Sequence, residues 1–321
     1  MAAHFLLSAA SRTLRLADIY KGGEEAARAT FARLRWPATD GKPVCPRCGG
    51  LNAYDIPTRR RFKCRACGHQ FSVTSGTIFA SRKLAFTDLC AAICIVVNAV
   101  KGLSACQLSR DLCVQYKTAF VLAHKVREAM ASETIGMELD GEVEMDGAYF
   151  GGVVRPENRV EDRKDRRLKA NLSDQRRVVV ALRERMGRTL TFVTKREAEG
   201  VDLARRFVAP GTKVYADEAA HWDELHAIFP EAGRINHSEA YSADGANTNQ
   251  AESYFSRLRR MVDGQHHHVS ARYLAQYAHE AAWKEDHRRE PNGALFSRAL
   301  RLALAAPISR AWKGYWQRVS I

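Results

Sequence analysis

Cys45 and Cys48 form one C-x-x-C pair and Cys64 and Cys67 a second, with fifteen residues between the pairs. Each pair is a tight turn that presents two thiolates to one ion. Two such turns joined by a hairpin supply the tetrahedral four-sulfur site of a structural Zn²⁺, which is borderline-soft and imposes no geometry of its own. Gly49, Gly50 and Gly68 supply the permissive backbone that such knuckles need. A redox C-x-x-C usually comes singly, beside a βαβ pattern. The spacing therefore predicts a zinc ribbon over 41–80. Four thiolates leave no open coordination position, so the ribbon is expected to be structural rather than catalytic.

Between the pairs runs "IPTRRRFKC", which puts Arg59, Arg60, Arg61 and Lys63 near the fingertip with Phe62 close by. This basic, aromatic tongue suits a phosphate backbone. The whole chain leans the same way: 50 Lys+Arg against 36 Asp+Glu gives +14 over 321 residues. A surplus of that size favours a polyanion, most simply nucleic acid. The longest apolar run, 89–100, is well short of the roughly 20 residues of a membrane span. The first residues make a poor signal peptide, with no basic residue ahead of their apolar patch. The expectation is a cytoplasmic, nucleoid-associated protein with reduced cysteines and no membrane partner.

The rest of the chain divides by texture. Residues 1–40 read as a helical segment. Residues 81–135 read as a helical domain resembling a helix-turn-helix: Ser104 caps a first helix, the chain turns near 113–115, and a second helix runs over 117–130. The second helix is expected to bury Ala119, Leu122 and Val126 and to expose Lys117, Thr118, His124, Lys125 and Arg127, of which Lys117, Lys125 and Arg127 are candidate DNA contacts. Cys90, Cys94, Cys106 and Cys113 read as buried small hydrophobes. An ordinary helical hairpin would show the same pattern.

Beyond Gly136 short β-rich runs appear at 141–150, 176–185, 188–197 and 211–218. Helical stretches follow the last two, with a short strand at 233–238 between helices. This order predicts an α/β domain on a mixed sheet flanked by helices over 136–265, followed by C-terminal helices over 266–321. The charge-dense, apolar-poor insert 155–177 reads as a mobile loop, and His266–His268 as an exposed loop.

Three acids stand out in that domain. Asp146 lies within a strand, with Glu142 and Glu144 on its face by the two-residue period. Asp217 ends a strand, the usual place for site residues in α/β sheets. Glu252 opens a helix, with thirty-four residues between it and Asp217. Phosphodiester cleavage by two divalent ions requires several carboxylates, because Mg²⁺ takes oxygen ligands. Arg259, two turns beyond Glu252 on the same face, is placed to hold a phosphate. Asn249 is one turn before Glu252 and is its rival as the third ligand. Singly, each acid reads as a surface or capping residue. Their order, the sheet and the basic charge together favour a two-metal site.

Five segments in order resemble the DDE-type insertion-sequence transposases that carry an N-terminal zinc ribbon, the ISXO2-like family: "FARLRWPATDGKPVCPRCGG", "FKCRACGHQFSVTSGTIFASRKL", "EMDGAYFGG", "YADEAAHWDEL" and "HSEAYSADGANTNQAESYFSRLRR". The resemblance implies an RNase H-like core and two Mg²⁺ held by Asp146, Asp217 and Glu252. It also implies recognition of the element's terminal inverted repeats by the ribbon and helical region, strand cleavage, and direct attack of the freed 3′-hydroxyl on target DNA. Joining two ends implies a homodimer or larger assembly on DNA. The chain departs from the family's usual pattern at Gly147, where an acid is common, at Asn247, where a histidine is common, and at Trp222, where a tyrosine is common. A non-catalytic DNA-binding regulator built on the ribbon and helix-turn-helix, or an RNase H-like nuclease, would share much of this sequence.

Overall fold

The computed structural model describes residues 5–152, 157–165, 168, 171, 175–217, 219, 222–235 and 247–318. The chain forms two compact units, 134–286 and the remainder, so the second unit is inserted between 1–133 and 287–321 of the first.

In the first unit, α1 (Leu16–Arg35) bends at Gly23, whose φ of 72° a helix of L-residues does not otherwise adopt. Its buried Phe31 meets Phe86 edge-on at 4.9 Å. Strands β1 (Ala53–Ile56), β2 (Arg61–Cys64) and β3 (Gln70–Phe71) form an antiparallel ribbon in that order. Trp36 closes its inner side, edge-on to Phe62 at 6.0 Å and to Phe71 at 6.3 Å. Helix α2 (Phe86–Asn98) is almost wholly apolar and buried. Its first amides have no intrahelical partner, and Glu24 of α1 accepts two of them, from Phe86 and Thr87, each at 3.0 Å.

Helix α3 (Ala105–Asp111) starts as its sequence predicts: the Ser104 hydroxyl accepts the Gln107 amide at 3.1 Å. The chain turns through Cys113 at a φ of 50° into α4 (Tyr116–Ala131). Cys90 and Cys94 are buried as expected, whereas Cys106 and Cys113 are exposed, because α3 turns only Leu108 inward and Cys113 sits in the turn.

The inserted unit is a five-stranded mixed sheet. Strands β4 (Glu142–Phe150), β5 (Arg177–Glu184) and β6 (Thr189–Thr194) are antiparallel; after α5 (Glu199–Phe207), β7 (Lys213–Asp217) returns parallel to β4 on its other side. Helix α6 (Leu225–Ile228) leads to β8 (Gly233–Ile235), giving the order β6-β5-β4-β7-β8. One face packs Val143, Met145, Val180 and Val214 against Val201 and Ala204 of α5 and against Trp222. Trp222 is fully buried and needs Gly200 beneath it: an added Cβ there would come within 2.6 Å of the indole. The other face packs Ala148, Phe150, Val179 and Ala181 against α7 (Asn249–Met261) and α8 (Ala271–Asp286). This mixed sheet with helices on both faces is the RNase H-like arrangement expected from the sequence.

The sequence reading set 266–321 apart as C-terminal helices; the structure divides that stretch at 286/287. Helix α8 belongs to the inserted unit, where Asp286 pairs with Arg183 and accepts the Thr189 amide at 3.0 Å. Helix α9 (Asn292–Ala305) and the short α10 (Tyr315–Arg318) return to the first unit. At the crossing, buried His287 lies between Glu133 at 3.0 Å and Glu290 at 2.7 Å. Of the charged insert, residues 155, 156, 166, 167, 169, 170 and 172–174 lie outside the described residues, and 157–165 are exposed. His267 and His268 are exposed as expected, whereas His266 packs edge-on to Tyr277 at 4.5 Å. No helix among the described residues is long and apolar enough to cross a membrane.

Candidate active site

Strand register brings two of the expected acids together. Glu144 of β4 stands opposite Tyr215 of β7 in the parallel ladder, so two residues on Asp146 stands level with Asp217. The odd residues of β4 and even residues of β7 fill the α5-side core; Asp146 and Asp217 therefore share the face covered by α7. Here β7 ends and the sheet's connections leave to opposite sides of β4, the place where open α/β sheets present a crevice. Asp146 is mostly buried and its carboxyl is pushed up to about 7. Burial is the main cause; Asp217 and Glu197 push the same way, while the Gly147 amide, 2.7 Å away, and Arg259 oppose them. Asp217 Oδ1 accepts the Ala219 amide at 3.0 Å.

Glu252 lies in the first turn of α7, exposed, with its amide bonded to the Thr248 carbonyl at 2.9 Å. Ala251, Tyr254, Phe255, Leu258 and Met261 are the buried positions of this helix, and Arg259 shares Glu252's outer stripe. Arg259 lowers the carboxyl pKa of Asp146, so the Arg259 end of that stripe lies within electrostatic reach of this acid. Asn249 is the exposed first residue of α7.

The sequence did not disclose what holds α7 in place. Glu144, with no exposed surface, accepts the amides of Gln250 and Ala251 at 2.7 and 3.0 Å. Arg185 of the β5–β6 turn pairs with Glu144 at 2.9 Å and with Glu142, donates to the Asn247 carbonyl at 3.1 Å, and lies 4.2 Å above the Tyr215 ring. Asn247 is thus part of the packing that fixes the helix start. The alternation of β4 put Glu144 on the Asp146 face, but nothing local announced its burial or its partner more than a hundred residues away. Glu197 is the second unforeseen acid. It precedes α5 on the opposite face, and a Cβ built on Gly147 would lie 2.6 Å from its carboxyl carbon. The glycine at 147 is what admits this carboxylate beside Asp146.

In the first unit the four expected cysteines do converge. Their sulfurs lie within 4.8 Å of one another, with Cys45 and Cys67, and Cys48 and Cys64, each 3.6 Å apart. Two matching knuckles hold them. The Gly49 amide donates to the Cys45 carbonyl at 2.9 Å and the Gly68 amide to the Cys64 carbonyl at 3.0 Å, with both glycines at positive φ. Four thiols at tetrahedral spacing, two of them buried, fit a structural zinc.

Two family models match the chain: the transposase zinc-ribbon domain over 22–70 and the ISXO2-like transposase domain over 138–286. The chain belongs to the ISXO2-like transposases. The first match begins at the bend of α1 and takes in the cysteines, so in this transposase α1 and the ribbon go together; the second fills the inserted unit almost end to end. No curated protein matches the chain.

The candidate DNA contacts of the transposase fare unequally. Arg59 and Arg61 are exposed and Lys63 is half-buried on the ribbon hairpin. Arg60 is turned back by its φ of 48° to pair with Glu24 at 3.6 Å and Glu25 at 3.5 Å. On α4, Lys117 and Thr118 are exposed, whereas Lys125 is half-buried, with its ammonium pKa lowered chiefly by burial. Two expectations are corrected. Arg127 is 3% exposed and donates to the Leu103 carbonyl at 3.3 Å, and His124 is fully buried, stacked on Trp312 at 4.2 Å. Local periodicity exposed both; a segment nearly 200 residues later covers one of them.

Proposed function

We propose that this transposase cleaves DNA at the ends of its element and joins the freed 3′ ends to target DNA, by two-metal phosphoryl transfer at Asp146, Asp217 and Glu252. The observation that carries the reading is the parallel β4–β7 ladder, whose register, continued two residues past Glu144 and Tyr215, sets Asp146 level with Asp217 in the unit matched by the transposase domain. The donor set suits hard cations: a mostly buried carboxyl with its pKa pushed up to about 7, among further carboxylates, is a site short of positive charge. Asp146 and Asp217 would hold two Mg²⁺ together with Glu252, with Asn249 as the alternative third ligand. Bound there, such ions lower the pKa of the attacking water or hydroxyl and stabilise the leaving oxygen.

The chain's own groups orient the reaction. Glu144 and Arg185 fix the start of α7 and with it Glu252. Arg259, on the same stripe, takes a phosphate oxygen. Arg59, Arg61 and Lys63 of the ribbon, with the exposed first turn of α4, bind the terminal inverted repeats, and two copies hold the two ends.

The test is strand transfer from a DNA fragment carrying the element's ends, identified as inverted repeats in the flanking DNA. Wild type joins ends in Mg²⁺, and Asp146→Asn does not. Equal joining by both removes the assignment. Salt-sensitive binding to the ends without cleavage or joining in either leaves a DNA-binding protein alone, and cleavage without joining leaves a nuclease.

A further inference from the structure

The segment after α9 forms a strap along the whole length of α4. It is anchored at its start by a bridge between Thr77 and Pro307 and by the Ile78 amide donating to the Ala306 carbonyl at 2.9 Å. It then tracks one stripe of α4, turn by turn. The Ser309 hydroxyl donates to Glu128 at 2.6 Å; Trp312 stacks on His124 at 4.2 Å; Trp312, Tyr315 and Trp316 ring Phe120 at 6.0, 6.0 and 5.8 Å. At the first turn, Trp316 Nε1 donates to the Lys117 carbonyl at 3.3 Å while the Lys117 ammonium lies 5.2 Å over its ring. The inner stripe, Ala119, Leu122, Ala123 and Val126, is already in the core.

What remains open on α4 is its N-terminal tip, with Gln115, Tyr116, Lys117 and Thr118 exposed. In a helix-turn-helix that is the end that meets base edges, while flanking cations hold phosphates. The strap reaches this tip with such cations. Residues 307–318 contain Arg310, Lys313 and Arg318 and no acid, and all three basic residues are exposed. Trp316 joins the strap to the tip through both a hydrogen bond and a cation–π contact, so the two present one surface.

We propose that residues 309–318 act as a wing of the DNA-binding surface, with Arg310 and Lys313 contacting phosphates beside the groove entered by the first turn of α4. This rests on the reading of the protein as a DNA-binding transposase. The experiment measures binding of the full chain to a duplex of the element's end and to a scrambled duplex, across a salt series, for wild type, Arg310→Ala/Lys313→Ala and Trp316→Ala. Circular dichroism and thermal melting check each fold. The double variant alters only exposed side chains and is expected to keep the wild-type melt. It should bind both duplexes about 10-fold or more weakly, with a salt slope shallower by one to two, the effect of losing one or two phosphate contacts. Trp316→Ala should lose discrimination between the two duplexes, because it unfastens the tip. Wild-type binding with an unchanged double variant overturns the wing and leaves the transposase reading intact. Tighter binding by either variant makes the strap a cover and overturns it equally. Failure of the wild type to bind either duplex removes the DNA-binding reading and the wing together.

Discussion

The fully buried carboxylate of Glu144 accepts the Gln250 amide at 2.7 Å, joining the middle of β4 to the start of α7. One acid of the strand serves as the cap of the helix whose first turn holds Glu252, the proposed third ligand. Glu24 does the same for α2 from a different helix. In both places a carboxylate distant in sequence meets the orphan amides and the positive end of a helix dipole.

Glu144→Ala removes that cap and leaves Arg185 without its buried partner. Arg185 keeps Glu142 and the Asn247 carbonyl, so the cost is that of two capping amides left without their charged acceptor, about 1–3 kcal/mol. Urea unfolding should show a loss of that order, and Glu144→Gln, which keeps one acceptor, a smaller one. A change below about 1 kcal/mol in Glu144→Ala would mean that α7 is held by its apolar face alone.

Asp146 gives the stability of the metal-free protein a pH signature. Its folded pKa, about 7, is above the roughly 3.9 of an unfolded aspartate. The native state therefore binds the proton more tightly. The stabilisation is fully present below about pH 4, declines between there and about pH 7, and is absent above. Asp146→Asn should thus melt several degrees above wild type at pH 8 without divalent ions and close to it at pH 4. Added Mg²⁺ should raise the wild-type midpoint at pH 8 and not the variant's. A variant no more stable than wild type at pH 8 contradicts the burial argument.

Gly147 and Glu197 should be coupled. A methyl at 147 meets the Glu197 carboxyl group, so Gly147→Ala is expected to cost about 1–3 kcal/mol. In a Glu197→Ala background the same substitution should cost far less. The double-mutant cycle, read by thermal melting, should give a coupling of at least about 1 kcal/mol; additive effects would disprove the contact.

Chelation or Cys64→Ser should release one zinc per chain and unfold the ribbon, because Trp36, Phe62 and Phe71 pack on one another across the hairpin that the four thiolates close. Hydrogen exchange is the measurement. Amides over 45–71 should lose protection while those of β4, β5 and β7 keep theirs. Protection unchanged after metal loss would refute a structural role for the ion.

The readable parts of this protein are those where local chemistry decides. The two C-x-x-C turns, the Ser104 cap and the β-rich runs each announce themselves within a few residues, and each appears where expected. Asp146 and Asp217 were visible because strand position marks them. Illegible were the arrangements made between distant segments. Glu144 reads as another strand acid until the start of α7 is laid on it. Glu197 has no signal beyond the glycine that makes room for it. His124 reads as an exposed helix residue until the C-terminal aromatics reach it. Gly147 was the one available hint, since a strand interior with no side chain often marks a close approach.

The return of 287–318 to the first unit bears on how the protein comes into being. Domains form as units while the chain is still being synthesised. Here the unit that carries the ribbon and α4 lacks α9 and the strap until residues 287–318 have been made, whereas the described strands of the inserted unit all precede them. A product ending before residue 287 would therefore contain the carboxylates proposed as catalytic and lack the finished surface proposed to direct them to DNA.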